Sequence, residues 1–142
     1  MTDLNTFYTN WMPRLLSVLR IIAGFLFIWH GSQKLFGFPP DSSGMMPNPL
    51  PPILLVAAVL EFFGGLLILV GLFTRSVAFL LSGLMAVAYF MGHASGGFLP
   101  LQNGGELAVL YCFVFLFLAV AGGGEWSLDR LFWRREKLNL EE

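Results

Sequence analysis

The sequence contains a single cysteine, Cys112, in 142 residues. One thiol closes no intrachain disulfide and makes no Cys-x-x-Cys redox pair, and in an apolar run it reads as a small packing residue. Charge is also scarce. Asp, Glu, Lys and Arg make up 12% of the chain, against about 25% in an average globular protein. There are two histidines, His30 and His93, and neither sits in a His-x-x-His or Glu-x-x-His spacing, so a metal would have to draw its ligands from separate helices. No flavin, haem or nicotinamide fingerprint occurs, so no cofactor is evident. The net charge of −1 gives no reason to expect nucleic acid. A cleavable signal peptide is not expected, because the first apolar run starts after Pro13 and ends without a small-x-small site.

Apolar residues are abundant: 56% of the chain, with fifteen phenylalanines. They fall into four long runs, Leu15–Phe36, Ile53–Phe73, Ser76–His93 and Glu106–Gly122. A bilayer crossing takes about 20 residues as a helix, and the fourth run is short unless Leu99–Gly105 adds a turn. The expected fold is all-α, an integral membrane four-helix transmembrane bundle forming a single domain over residues 1–142. Gly37–Pro52 holds six prolines and reads as an extended loop. The second and third runs are joined tightly through Thr74–Arg75. Ala94–Gly105, with four glycines and Pro100, is a second loop.

Cations set the expected topology. Arg14, Arg75, Arg130, Arg134, Arg135 and Lys137 fall on one side, and Arg20 lies one turn inside the first span, placed to snorkel to that side. The other side has only Lys34. The positive-inside rule puts both termini in the cytoplasm and the Pro-rich loop outside. Both ends read as interfacial. Leu4, Phe7, Tyr8 and Trp11 have the spacing of a short surface helix. Residues 126–137 read as an amphipathic helix capped by Ser127, with Trp126 and Leu131 as a staple and Phe132, Trp133, Arg134 and Arg135 at the headgroups.

One acid lies where lipid disfavours it. Glu61 is inside the second run, where a charge costs roughly 2.5–3.5 kcal/mol on insertion scales and normally has a partner. At about 1.5 Å per residue, His30, Lys34, Glu61, Tyr89, His93 and Glu106 all fall in the outer half of the bilayer. His30 and Lys34 share a helix face, as do Tyr89 and His93, and Gln33 lies beside Lys34. The candidate ligand-binding residues are therefore His30, Gln33, Lys34, Glu61, Tyr89, His93 and Glu106, in an outward-facing polar pocket. Gly64 and Gly65 follow Glu61 and allow close approach of another helix, as Ser82 and Ala86 do on the third run. Similar strings at the ends of the first and third runs raise a two-hairpin internal repeat, which would pair His30 with His93 and Glu61 with Glu106.

His30-Gly31-Ser32-Gln33-Lys34-Leu35-Phe36-Gly37 resembles the first-span signature of the DoxX family. So do Leu60-Glu61-Phe62-Phe63-Gly64-Gly65, Gly71-Leu72-Phe73-Thr74-Arg75, Asn103-Gly104-Gly105-Glu106-Leu107 and Gly122-Gly123-Gly124-Glu125-Trp126-Ser127-Leu128-Asp129. The resemblance covers about residues 13–131. It implies a small four-helix, multi-pass protein of the bacterial inner membrane. Some members of the family are subunits of quinone-linked oxidoreductases and others are linked to redox-stress enzymes. Four readings of the polar cluster follow. In one it binds quinone or quinol as part of an electron-transfer complex, with an oxidoreductase subunit as partner: a histidine bonds a carbonyl and the carboxylates pass protons. In another it is a non-catalytic site for a small molecule or lipid, used in transport or as an accessory. A third gathers its histidines and glutamates around a metal. In the last, Lys34 and Glu61 form a buried pair that sets helix register. No catalytic residue is assigned, and homo-oligomerisation is left open by the small residues near Ser82 and Gly92.

Overall fold

The computed structural model describes residues 2–42, 44 and 46–132, and among them every regular element is helical. The elements are α1 (Thr2–Phe36), α2 (Pro52–Val70), α3 (Thr74–Ala88), α4 (Pro100–Asn103) and α5 (Glu106–Ala121). α3 runs on through a π-helical turn, Tyr89–His93, and a 3-10 turn, Ala94–Gly96. Three stretches are long and apolar enough to cross a membrane: Leu4–Phe36, Pro52–Val70 and Thr74–Gly96. The fourth expected span is the shorter α5. The turn expected from residues 99–105 is formed by α4, but Gly104 takes a left-handed conformation (φ 70°) and separates it from α5.

The first apolar run and the expected surface helix at Leu4–Trp11 are one continuous helix, with Pro13 inside it. Proline there removes one amide donor. Its own carbonyl is well used: it accepts from Ser17 Oγ (2.9 Å) and from the Glu125 amide (3.1 Å). α2 starts on Pro52, a favoured first position because its missing N–H would have been unsatisfied anyway. It ends on Gly71 (φ 72°), whose amide bonds Ile68 O while Leu72 N bonds Leu67 O, a Schellman closure.

α1 packs along α2, and α3 along α5. Gly24 faces the Leu69 backbone and Gly31 faces Ala58, so α1 and α2 are antiparallel and nearly touch. A methyl group on Gly24 would lie 2.7 Å from Leu69 N. Gly65 faces Ile28 of α1 and Gly64 receives Leu81 of α3, so the two glycines after Glu61 serve two different neighbours. Ser82 Oγ donates to Cys112 O at 2.8 Å and links α3 to α5. The core between the pairs is Phe27, Ile68, Leu81, Met85, Tyr111, Phe115 and Leu118, with Phe27 against Phe115 at 4.8 Å between ring centres. Large apolar side chains also point outward all round, as at Phe79 (69% exposed) and Val120 (71%). A water-soluble monomer seldom shows so much contiguous apolar surface, whereas lipid covers it without cost.

Arg20 does not snorkel. It is 1% exposed and its guanidinium points into the bundle. Nη1 donates to Ile68 O (2.5 Å) and Leu69 O (2.6 Å), Nε to Gly123 O (2.8 Å) and Nη2 to Trp126 O (2.7 Å). The last carbonyls of α2 have no intrahelical donor and carry the negative end of the helix dipole, so a buried cation finds there the acceptors that lipid lacks. Nearby, Asp129 accepts from the amides of Phe73 (2.7 Å) and Thr74 (2.8 Å) and caps α3 from 55 residues away in sequence. Phe73 is held there in a left-handed conformation (φ 51°). The Gly71–Arg75 and Gly122–Asp129 motifs thus meet in one knot at this end.

Ser127 Oγ accepts from the Arg130 amide (3.3 Å) and opens a helical segment at 128–132, as expected of a cap. Trp133, Arg134, Arg135 and Lys137 lie outside the described residues.

Candidate functional site

Glu61 is 3% exposed. Lys34 Nζ reaches both of its oxygens, at 2.5 and 2.6 Å, across the α1–α2 contact. A charge-assisted pair of this length satisfies both carboxylate oxygens at once. The Lys34 side chain is partly open at the end of α1, so the pair is buried on the acid side and wetter on the amine side.

One turn earlier, His30 lies within electrostatic reach of both members of the pair. Its ring stands edge-on to Tyr111 of α5 (6.0 Å, 84°) and tilted against Phe27 (6.3 Å). Neither the His30 ring nitrogens nor the Tyr111 hydroxyl has a hydrogen-bond partner among the described residues. Phe27, Tyr111 and Phe115 form the aromatic wall behind them. Tyr111 was not among the residues expected from sequence. Its signal was present: a hydroxyl inside a strongly apolar helix, on a face shared with Phe115.

The other expected residues lie elsewhere. The Tyr89 hydroxyl donates to Phe98 O and accepts from Asn103 Nδ2 (3.3 Å). His93 Nδ1 lies 3.1 Å from Asn103 O. Asn103 also donates to Gly97 O (2.7 Å) and accepts from Gly105 N (2.8 Å), so this one side chain organises the glycine-rich loop around Tyr89. Gln33 Nε2 donates to Pro39 O (3.1 Å) and tethers the Pro-rich loop. Glu106 is exposed in the first turn of α5, where a negative charge suits the helix dipole. The seven expected residues therefore form an ion-pair group (His30, Lys34, Glu61), a loop-tethering group (Gln33, Tyr89, His93) and a separate acid (Glu106). His30 neighbours Tyr111 while His93 is tied to Asn103, so neither histidine makes the contact that the repeat would give it. Among the described residues no three of His, Cys, Asp and Glu converge in a way that would hold a metal ion.

The DoxX family profile matches residues 15–94, which spans α1, α2, α3 and the Lys34–Glu61 pair. The chain belongs to the DoxX family. A Haemophilus influenzae protein described as uncharacterized is 43% identical over 129 residues, covering 89% of this chain and 96% of its own length. The Escherichia coli inner membrane protein YqjF is 34% identical over 117 residues (80% and 88%). The Escherichia coli inner membrane protein YphA is 31% identical over 131 residues (83% and 90%). No solved structure matches. This DoxX protein is a multi-pass protein of the inner membrane, consistent with its apolar helices and outward-facing phenylalanines.

Proposed function

We propose that this DoxX protein is a membrane subunit or accessory of a quinone-linked oxidoreductase or redox-stress system. Quinone or quinol binds against His30 and Tyr111, next to the Lys34–Glu61 pair. The observation that carries this reading is two side chains with no hydrogen-bond partner among the described residues, their rings edge to face at 6.0 Å in an aromatic setting, one of them one turn from a buried ion pair. A quinone head needs donors for its carbonyls and flat apolar walls. His30 and Tyr111 supply the donors, and Phe27 and Phe115 the walls. Glu61, held close to a cation, is a proton acceptor within the same layer. Gln33, Tyr89 and His93 line the approach by holding the two outer loops in place, and Glu106 adds a carboxylate at the start of α5.

In the same reading α5 is a fourth crossing and both termini are cytoplasmic. Its 16 residues span about 24 Å, and α4 with the glycine loop completes the path to the outer surface. Arg14, Arg75 and Arg130 then lie on the cytoplasmic side, as the positive-inside rule requires.

Titration of purified protein in lipid nanodiscs with a short-chain ubiquinone tests this. Saturable binding is expected, weakened about tenfold by His30→Ala or Tyr111→Phe, the effect of about one lost hydrogen bond. Unchanged binding in both variants, or none by folded wild-type protein, overturns it. A second reading has its own observation: both Glu61 oxygens are already occupied by Lys34. The pair then sets the register of α1 on α2, and the site is a non-catalytic pocket for a small amphipathic molecule or lipid. Binding that tolerates His30→Ala and discriminates no carbonyl supports that reading.

A further inference from the structure

We propose that the groove at the arginine-bearing end holds one anionic phospholipid, with its phosphate between Arg75 and Arg130 and an acyl chain along α1 and α5. The inference does not depend on the quinone reading, which concerns the opposite end of the bundle. The groove has a volume of about 1220 Å3. Its long wall is Leu15, Leu16 and Leu19 of α1 facing Phe117 and Ala121 of α5, an apolar trough of the kind an acyl chain fills. Its head is different in character. There Thr74, Arg75 and Arg130 meet the Gly122–Gly124 turn.

Three observations mark the head as a place for a phosphate. Arg75 is exposed and, among the described residues, has neither an ion pair nor a hydrogen bond, although α5 ends beside it. Among the described residues the Arg130 side chain has a loose contact with one Glu125 oxygen, at 3.9 Å, while Arg14 holds the other oxygen at 3.0 Å. The hydroxyl of Thr74, a fully buried residue on the groove floor at the start of α3, has no partner among the described residues. The acid that also lines the groove, Asp129, is committed to the Phe73 and Thr74 amides, so its charge is already matched by the start of α3. The groove thus carries two available cations beside a buried, unpartnered hydroxyl at the head of an apolar trough, at the end of the bundle where the positive-inside rule puts cationic side chains at the headgroups. Cations at this level favour anionic over zwitterionic lipid.

The full-length protein is placed in phosphatidylcholine nanodiscs doped with phosphatidylglycerol and released into a native mass spectrometer. Wild type is expected to retain one phosphatidylglycerol. Arg75→Gln with Arg130→Gln should weaken that retention about thirtyfold. Arg75→Lys with Arg130→Lys should keep most of it. Ala121→Trp, which fills the trough and leaves both arginines in place, should lose the lipid while melting like wild type in pure phosphatidylcholine. Equal retention of both lipids by wild type overturns the proposal, and so does wild-type retention by the double glutamine and the tryptophan variants. A further arm names the rival occupant, the chain's own residues 133–142. A photo-crosslinker on Leu15→Cys in a Cys112→Ala background should capture phospholipid, and capture of that peptide instead overturns the assignment.

Discussion

Glu61 and Arg20 are two buried charges with opposite solutions. Glu61 is matched by a full countercharge, Lys34, and Arg20 by four backbone carbonyls. The pair at Glu61 gives a prediction at the residue scale. Glu61→Gln or Lys34→Met leaves a single charge among helices, and each is expected to cost on the order of 3 kcal/mol. The combined Lys34→Met and Glu61→Leu variant removes both charges and should lose much less than the two single costs together. Denaturant unfolding in mixed micelles, followed by tryptophan fluorescence, reads all three. Strictly additive losses would mean that the two side chains act independently.

At the level of elements, α3 begins where a neighbouring motif allows it to. Phe73 adopts a conformation unusual for a residue with a side chain, and the Asp129 carboxylate stabilises it by taking two amides there. Asp129→Ala is therefore expected to cost about 1–2 kcal/mol, the range of a lost cap, and to speed hydrogen exchange at the Phe73 and Thr74 amides in particular. A melting loss with unchanged exchange at those amides would place the role of Asp129 elsewhere. The same knot shows where sequence reading stopped. Helix positions were legible from the apolar runs and the Pro-rich loop between the first two, and Lys34 was legible as a partner for Glu61 because a buried acid needs a cation within reach. The role of Arg20 was not, because its acceptors are main-chain carbonyls, which every sequence possesses and none advertises. Tyr89 and His93 share a helix face in sequence, and the glycine loop closes on that face through Asn103, a contact that depth alone does not reveal.

For the whole molecule, the proposed fourth crossing by α5 would place the Pro-rich loop and the two termini on opposite sides of the membrane. In a Cys112→Ala background, Asn48→Cys should react with an impermeant maleimide in intact cells, whereas Asn5→Cys and Phe132→Cys should react only after permeabilisation. Labelling of Phe132→Cys in intact cells would show an odd number of crossings. Arg20 adds a constraint in time. Its acceptors lie at residues 68–69 and 123–126, so the guanidinium enters the membrane with the first helix long before the last of its carbonyls exists. Until that final stretch is made, the growing chain carries a solvent-seeking charge that keeps its N-terminal helices from settling. A chain cut short before Gly123 would therefore keep a built-in mark of incompleteness, legible to any machinery that removes polar groups stranded in lipid.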